Sequence, residues 1–124
     1  MKVGHFYVPE GACRETASVL QRIGDKWTVF VIVSLKDGPL RFMELKRLIS
    51  AVSQKMLTST LRGLERDGFI TRTVTPTIPP RVDYELTDLG RDVLVPLDAI
   101  AAFAIARRQE VEVAREHYDA LSAK

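Results

Sequence analysis

The sequence predicts a mainly α-helical domain carrying one small β-hairpin, an α+β arrangement, and three observations carry that prediction. Apolar residues recur at helical spacing through most of the 124 residues. The pattern turns to strict alternation only between residues 70 and 86. That alternating stretch is broken in its middle by Pro76-Thr-Ile-Pro-Pro80, which lacks the amide donors a strand ladder needs.

Length and composition set the frame. A chain of 124 residues, 46% hydrophobic and 27% charged, makes one ordinary soluble globular domain, 1–124. No run of eighteen apolar residues is present, and the start is broken by Gly4, Pro9 and Gly11, so neither a membrane span nor an export leader is expected. Cys13 is the single cysteine, which rules out an intrachain disulfide and fits the reducing cytoplasm.

Residues 1–12 show no period and are expected to form an arm. From Cys13 to Ile23, Ala17, Val19, Leu20 and Ile23 predict a first short helix, ended at Gly24. The next segment, Lys26-Trp-Thr-Val-Phe-Val-Ile-Val-Ser-Leu35, suits a strand by its Val and Ile content and a buried helix by its length. Asp25 as a cap and Gly38 as a stop favour the helix. After Gly38-Pro39, the residues Phe42, Leu45, Leu48 and Ile49 predict another helix, and Ser50, Ala51 and Val52 connect it to the next.

That next helix, beginning at an expected Ser53 cap and stopped by Gly68, has an apolar stripe of Met56, Leu57, Leu61 and Leu64. Its other side presents Gln54, Lys55, Thr58, Ser59, Arg62 and Arg66, with no acid before Glu65. Short hydrogen-bonding groups and cations on one face suit phosphates and base edges, although a solvated amphipathic helix would look similar. Two helices joined by a tight turn, 41–67, have helix-turn-helix geometry. The hairpin of 70–86 places Ile70, Arg72 and Val74 on one side, and its second strand sets Val82, Tyr84 and Leu86 opposite Arg81, Asp83 and Glu85. Helices followed by a recognition helix and a hairpin make a winged helix.

Thr87 is the expected cap of the last helix, 88–121, whose Leu89, Val93, Leu97, Ala101 and Ala104 share a face. Pro96 should kink or divide it. Residues 99–106 are apolar around most of the circumference, more than one solvent-facing helix needs, which points to burial against a second subunit. Charge is distributed to match. Residues 41–81 hold eight Lys or Arg against three acids, a net +5, leaving −3 for the rest.

Over Cys13 to about Phe103 the chain resembles the HxlR-type regulators, a MarR-like branch of bacterial winged helix-turn-helix transcription factors. The resemblance rests on Gly24-Asp-Lys-Trp-Thr-Val-Phe-Val-Ile-Val-Ser-Leu35, Gly38-Pro-Leu-Arg-Phe-Met-Glu-Leu-Lys-Arg-Leu-Ile49, Val52 to Val74 (with Ser53-Gln-Lys-Met-Leu57 and Leu64-Glu-Arg-Asp-Gly68), and Pro79-Pro-Arg-Val-Asp-Tyr-Glu-Leu-Thr87. It implies a cytoplasmic homodimer that binds double-stranded DNA at a pseudo-palindromic operator and represses or activates nearby genes, repression being the expectation, with 13–23 and 88–121 as dimerisation helices. Carried over by position, Gln54, Lys55, Thr58, Ser59 and Arg62 would face the major groove, with Arg62 or Lys55 best placed for a guanine edge, and Ser53 at the start of the same helix counts among the DNA-binding residues. Arg81 would reach phosphate or the adjacent minor groove from the wing, and Arg41 and Lys46 would contact phosphates. Trp27 and Phe42 read as core.

In this family a cysteine near the first helix often senses oxidants or electrophiles, and Cys13 matches that position. A helix N-terminus and Arg14 favour thiolate there, whereas a lone cysteine can equally be a small buried apolar residue. A small-molecule or oxidant effector is therefore an open expectation. His5 and His117 stand apart, and no metal-ligand spacing, phosphate loop or paired nucleophile and base is present. An enzyme, a metal and a cofactor are not expected. The competing reading is a winged helix used only for protein contacts.

Overall fold

The chain is described by a computed structural model over residues 1–123. Its centre is the segment whose sequence was divided between strand and helix. Residues Lys26–Ser34 form helix α2, capped by the Asp25 carboxylate, which accepts from the amides of Trp27 at 2.9 Å and Thr28 at 3.2 Å. The cap and burial together outweigh the β preference of its Val and Ile residues. Val31, Ile32 and the following Leu35 are fully buried.

Around α2 lie α1 (Cys13–Ile23), α3 (Phe42–Leu48), α4 (Gln54–Arg66) and the first part of α5 (Asp88–Ser122). Leu45 and Ile49 from the α3 region, Val52 from the turn, Leu57, Leu61 and Leu64 from α4, and Leu97 from α5 close the core with Phe69, Ile70 and Leu86. Trp27 and Phe42 pack at its edge, partly buried.

Strands β3 (Ile70–Thr75) and β4 (Arg81–Leu86) pair antiparallel, from Ile70 opposite Leu86 to Thr75 opposite Arg81. The proline-rich connection 76–80 projects beyond them, with Ile78 fully exposed and the Ile78–Pro79 bond cis. A short bridge between Leu40 and Tyr84, with backbone bonds of 3.0 and 2.8 Å, ties the entry to α3 onto β4. The order is that of the winged helix.

Several sequence expectations are corrected. Met56 was placed on the buried stripe of α4 and is 41% exposed, because the helix turns Thr60 inward instead. Leu48 keeps the helical spacing of Phe42, Leu45 and Ile49 but is 64% exposed at the end of α3. Pro96 does not divide the last helix, which runs 35 residues without a break, about 52 Å at 1.5 Å per residue. Pro96 lies in its third turn, where one backbone bond is lost and many flanking ones remain. Within the arm, β1 (Lys2–Val3) and β2 (Phe6–Tyr7) form a small exposed hairpin that the sequence pattern did not show. Gly4, at φ 59°, makes its turn.

Two features leave an unpartnered apolar surface. Helix α1 buries no residue, and Val19 and Leu20 face outward. Beyond Ala101 every described residue of α5 is exposed, including Phe103, Ile105, Val113 and Leu121.

Candidate nucleic-acid interface

Both ends of α4 are fixed by local chemistry. At its start the Ser53 hydroxyl accepts from the Met56 amide at 3.1 Å. At its end Gly68 takes φ 85°, the Gly68 amide donates to the Glu65 carbonyl at 3.2 Å and the Phe69 amide to the Leu64 carbonyl at 2.9 Å. That pair of bonds is a Schellman closure, which needs the left-handed residue a glycine provides. Burial of Leu57, Thr60, Leu61 and Leu64 then sets the rotation of the helix about its axis.

With that rotation fixed, Gln54, Lys55, Thr58, Ser59 and Arg62 line one open concavity on the outer face. The five residues expected to meet a groove are therefore neighbours in space. Gln54, Lys55, Ser59 and Arg62 are exposed, and Thr58 is half-buried. The Thr58 hydroxyl donates back to the Gln54 carbonyl at 2.8 Å, so toward a ligand it offers acceptor lone pairs and a methyl group. Lys55 and Arg62 supply donors alone, and the Gln54 amide and Ser59 hydroxyl supply both. Such a mixture can read base edges as well as phosphates.

A second concavity joins α3 to the wing. Arg41, Met43, Glu44 and Arg47 line one side, and Pro80, Arg81 and Val82 the other. The Leu40 to Tyr84 bridge holds them together. Glu44 is occupied with the Arg41 amide, which donates to its carboxylate at 3.0 Å and so caps the first turn of α3. Arg81 is partly spent, since its Nε lies 3.0 Å from the Asp83 carboxylate. A third concavity, sharing Thr58 and Arg62 with the first, is lined also by Leu61, Glu65, Arg72 and Tyr84. Arg62 thus borders both the α4 face and the wing.

Two expected contacts sit elsewhere. Lys46 is half-buried and lines none of these concavities, and Ser53 uses its acceptor as a cap. Two cations not singled out in the sequence join the surface, Arg47 and Arg72. Arg72 carried a signal, because alternation set it on the same strand side as the buried Ile70, where α4 passes. Arg47 follows Glu44 by three positions, which puts it on the same helix side. Cys13, the first residue of α1, is an exposed free thiol next to the exposed Arg14.

Comparison with known proteins gives a consistent picture. The family model described as HxlR-like helix-turn-helix matches residues 22–112. The uncharacterised HTH-type transcriptional regulator YtfH of Escherichia coli K12 is 37% identical over 116 residues, 94% of this chain and 90% of that protein. The solved ytfH structure from Salmonella typhimurium is 39% identical with a TM-score of 0.75, covering 82% of this chain and 90% of that one. The redox regulator HypR in its reduced form is 33% identical with a TM-score of 0.71, covering 80% and 98%.

Proposed function

The chain belongs to the HxlR-like helix-turn-helix family of transcriptional regulators, and from that premise we propose that it is a homodimeric repressor which reads a pseudo-palindromic operator through the exposed face of α4. The observation that carries this reading is the clustering of Gln54, Lys55, Thr58, Ser59 and Arg62 in one concavity, flanked by a wing bearing Arg72 and Arg81. Base edges in a major groove present donors and acceptors that this set complements, and Arg62 is the group best placed for a guanine. Arg41, Arg47 and Arg81, which share the concavity between α3 and the wing, neutralise backbone phosphates and set register.

In this reading the whole chain is one cytoplasmic domain, with 41–67 as the helix-turn-helix, 70–86 as the wing, and 13–23 with 88–121 as the dimer contact. Support for the dimer comes from the uncovered apolar residues of α1 and distal α5. Among the described residues no helix is long and apolar enough to cross a membrane. Selection of bound fragments from genomic DNA tests the function directly. Recovery of a common sequence with two half-sites about one helical turn apart, or a multiple, is expected; recovery of no enriched sequence contradicts it.

Operator release by an oxidant or electrophile through Cys13 belongs to the same proposal. It is supported by the exposed thiol at the start of α1 and by the likeness to the redox regulator HypR. With one cysteine per chain, the products open to it are an intersubunit disulfide or a small-molecule adduct. Diamide should release wild-type protein from the selected fragment and leave Cys13→Ser bound. Equal release of both proteins removes Cys13 from the account.

A further inference from the structure

Helix α1 is attached to the rest of the fold in an unusual way. It fully buries no side chain and packs only Ile23 partly against the core, yet its last turn reaches across 45 positions of sequence to the end of α4. There the Arg22 Nε donates to the Asp67 carboxylate at 2.7 Å, and the guanidinium lies against Gly63. A Cβ at Gly63 would displace that guanidinium, the movable end of a flexible side chain, so the glycine leaves room for the ion pair as it stands. A glycine inside a helix disfavours the helix relative to alanine, and here the space it opens is filled by a cation from another element. Asp67 is the C-cap of α4, adjacent to the Gly68 closure that fixes the end of the recognition helix.

The opposite relationship holds for the remainder of α1, where Val19 and Leu20 are uncovered. One helix therefore carries an ion-paired grip on the recognition helix and an apolar surface suited to a second copy of the chain. Building on the dimeric DNA-binding reading above, we propose that Arg22 is a positioning residue, which through Asp67 and Gly63 transmits the dimer geometry to α4 and so sets the separation of the two recognition helices. It touches no DNA. Its effect is on which half-site spacing the dimer accepts, because one added base pair shifts a half-site along the duplex and rotates it around the axis.

The test uses the full-length protein and the operator selected with it, altered by inserting or deleting one base pair between half-sites. Wild-type protein should lose about tenfold or more in affinity on either altered duplex, the size of a poorly matched site. Arg22→Ala should reduce that discrimination to about threefold or less while ranking base changes within a half-site as wild type does. The exchanged pair, Arg22→Asp with Asp67→Arg, should recover spacing discrimination. Should Arg22→Ala not fold, Gly63→Ala decides, since it displaces the guanidinium while favouring the helix. Retention of wild-type spacing discrimination by the deciding variant overturns the inference and leaves DNA binding intact as a reading. A wild-type protein that selects no DNA overturns both.

Discussion

The proposed interface gives individual side chains at the α4 face and the wing separable duties. Arg62 is exposed and lines both the α4 concavity and its junction with the wing. If it donates to a base edge, Arg62→Ala should weaken operator binding by about 1 to 3 kcal/mol and relax preference at one position. Unchanged affinity in a binding titration removes it from the interface. Arg81 differs because it stands beside Asp83 at 3.0 Å, and both groups are partly open to solvent. A phosphate contact predicts that Arg81→Ala causes a smaller loss and reduces the salt slope by about 1. Asp83→Asn should act in the opposite sense, tightening binding and steepening the slope, since it releases the guanidinium from a competing carboxylate. A shallower slope in Asp83→Asn would show that the carboxylate holds Arg81 in place for DNA.

Elements are fixed by a few local devices, and those devices were mostly visible in the sequence. Gly68 at φ 85° closes α4, with open space around its missing Cβ apart from Leu89 at 3.9 Å. Gly68→Ala should therefore cost the backbone strain alone, about 1 kcal/mol, read as a lower urea midpoint at unchanged slope. A stability equal to wild type contradicts the account of that helix end. Ser53, Asp25 and Thr87 were legible as caps because a short polar side chain before an apolar run has few other uses. The hairpin was legible because alternation and prolines admit no helix. Residues near an element's rim were not legible. Met56 and Leu48 satisfy helical spacing, but spacing sets a direction and not what stands in it. Met56 faces the open concavity between α1 and α4 and is only partly covered, and Leu48 projects past the core into the shallow apolar groove with Trp27 and Phe30. The five α4 site residues could be read from one face of one helix. Arg47 and Arg72 become neighbours of that site only through the Leu40 to Tyr84 bridge and strand register, which depend on residues far apart in sequence.

At the scale of the molecule, the first part of α5 belongs to the core through Leu97, and everything after Ala101 stands free of it. Phe103 and Ile105 are each 61% exposed in a helix that a single copy has no means to cover. In the proposed dimer a second copy supplies that cover and gives two α4 faces the symmetry of a palindrome. Phe103→Glu is expected to leave the helical circular-dichroism signal intact, shift sedimentation from dimer to monomer, and weaken operator binding. A Phe103→Glu protein that still sediments as a dimer would place the contact elsewhere. The central claim, that a basic centre on this fold reads a DNA sequence, is tested most directly by titrating the selected operator and an unrelated duplex across a series of salt concentrations. Log affinity is expected to fall linearly with log salt on both, by about 0.9 per phosphate neutralised, with the operator bound about 10³-fold or more tightly at physiological salt. Binding that ignores salt, or that does not distinguish the two duplexes, contradicts it.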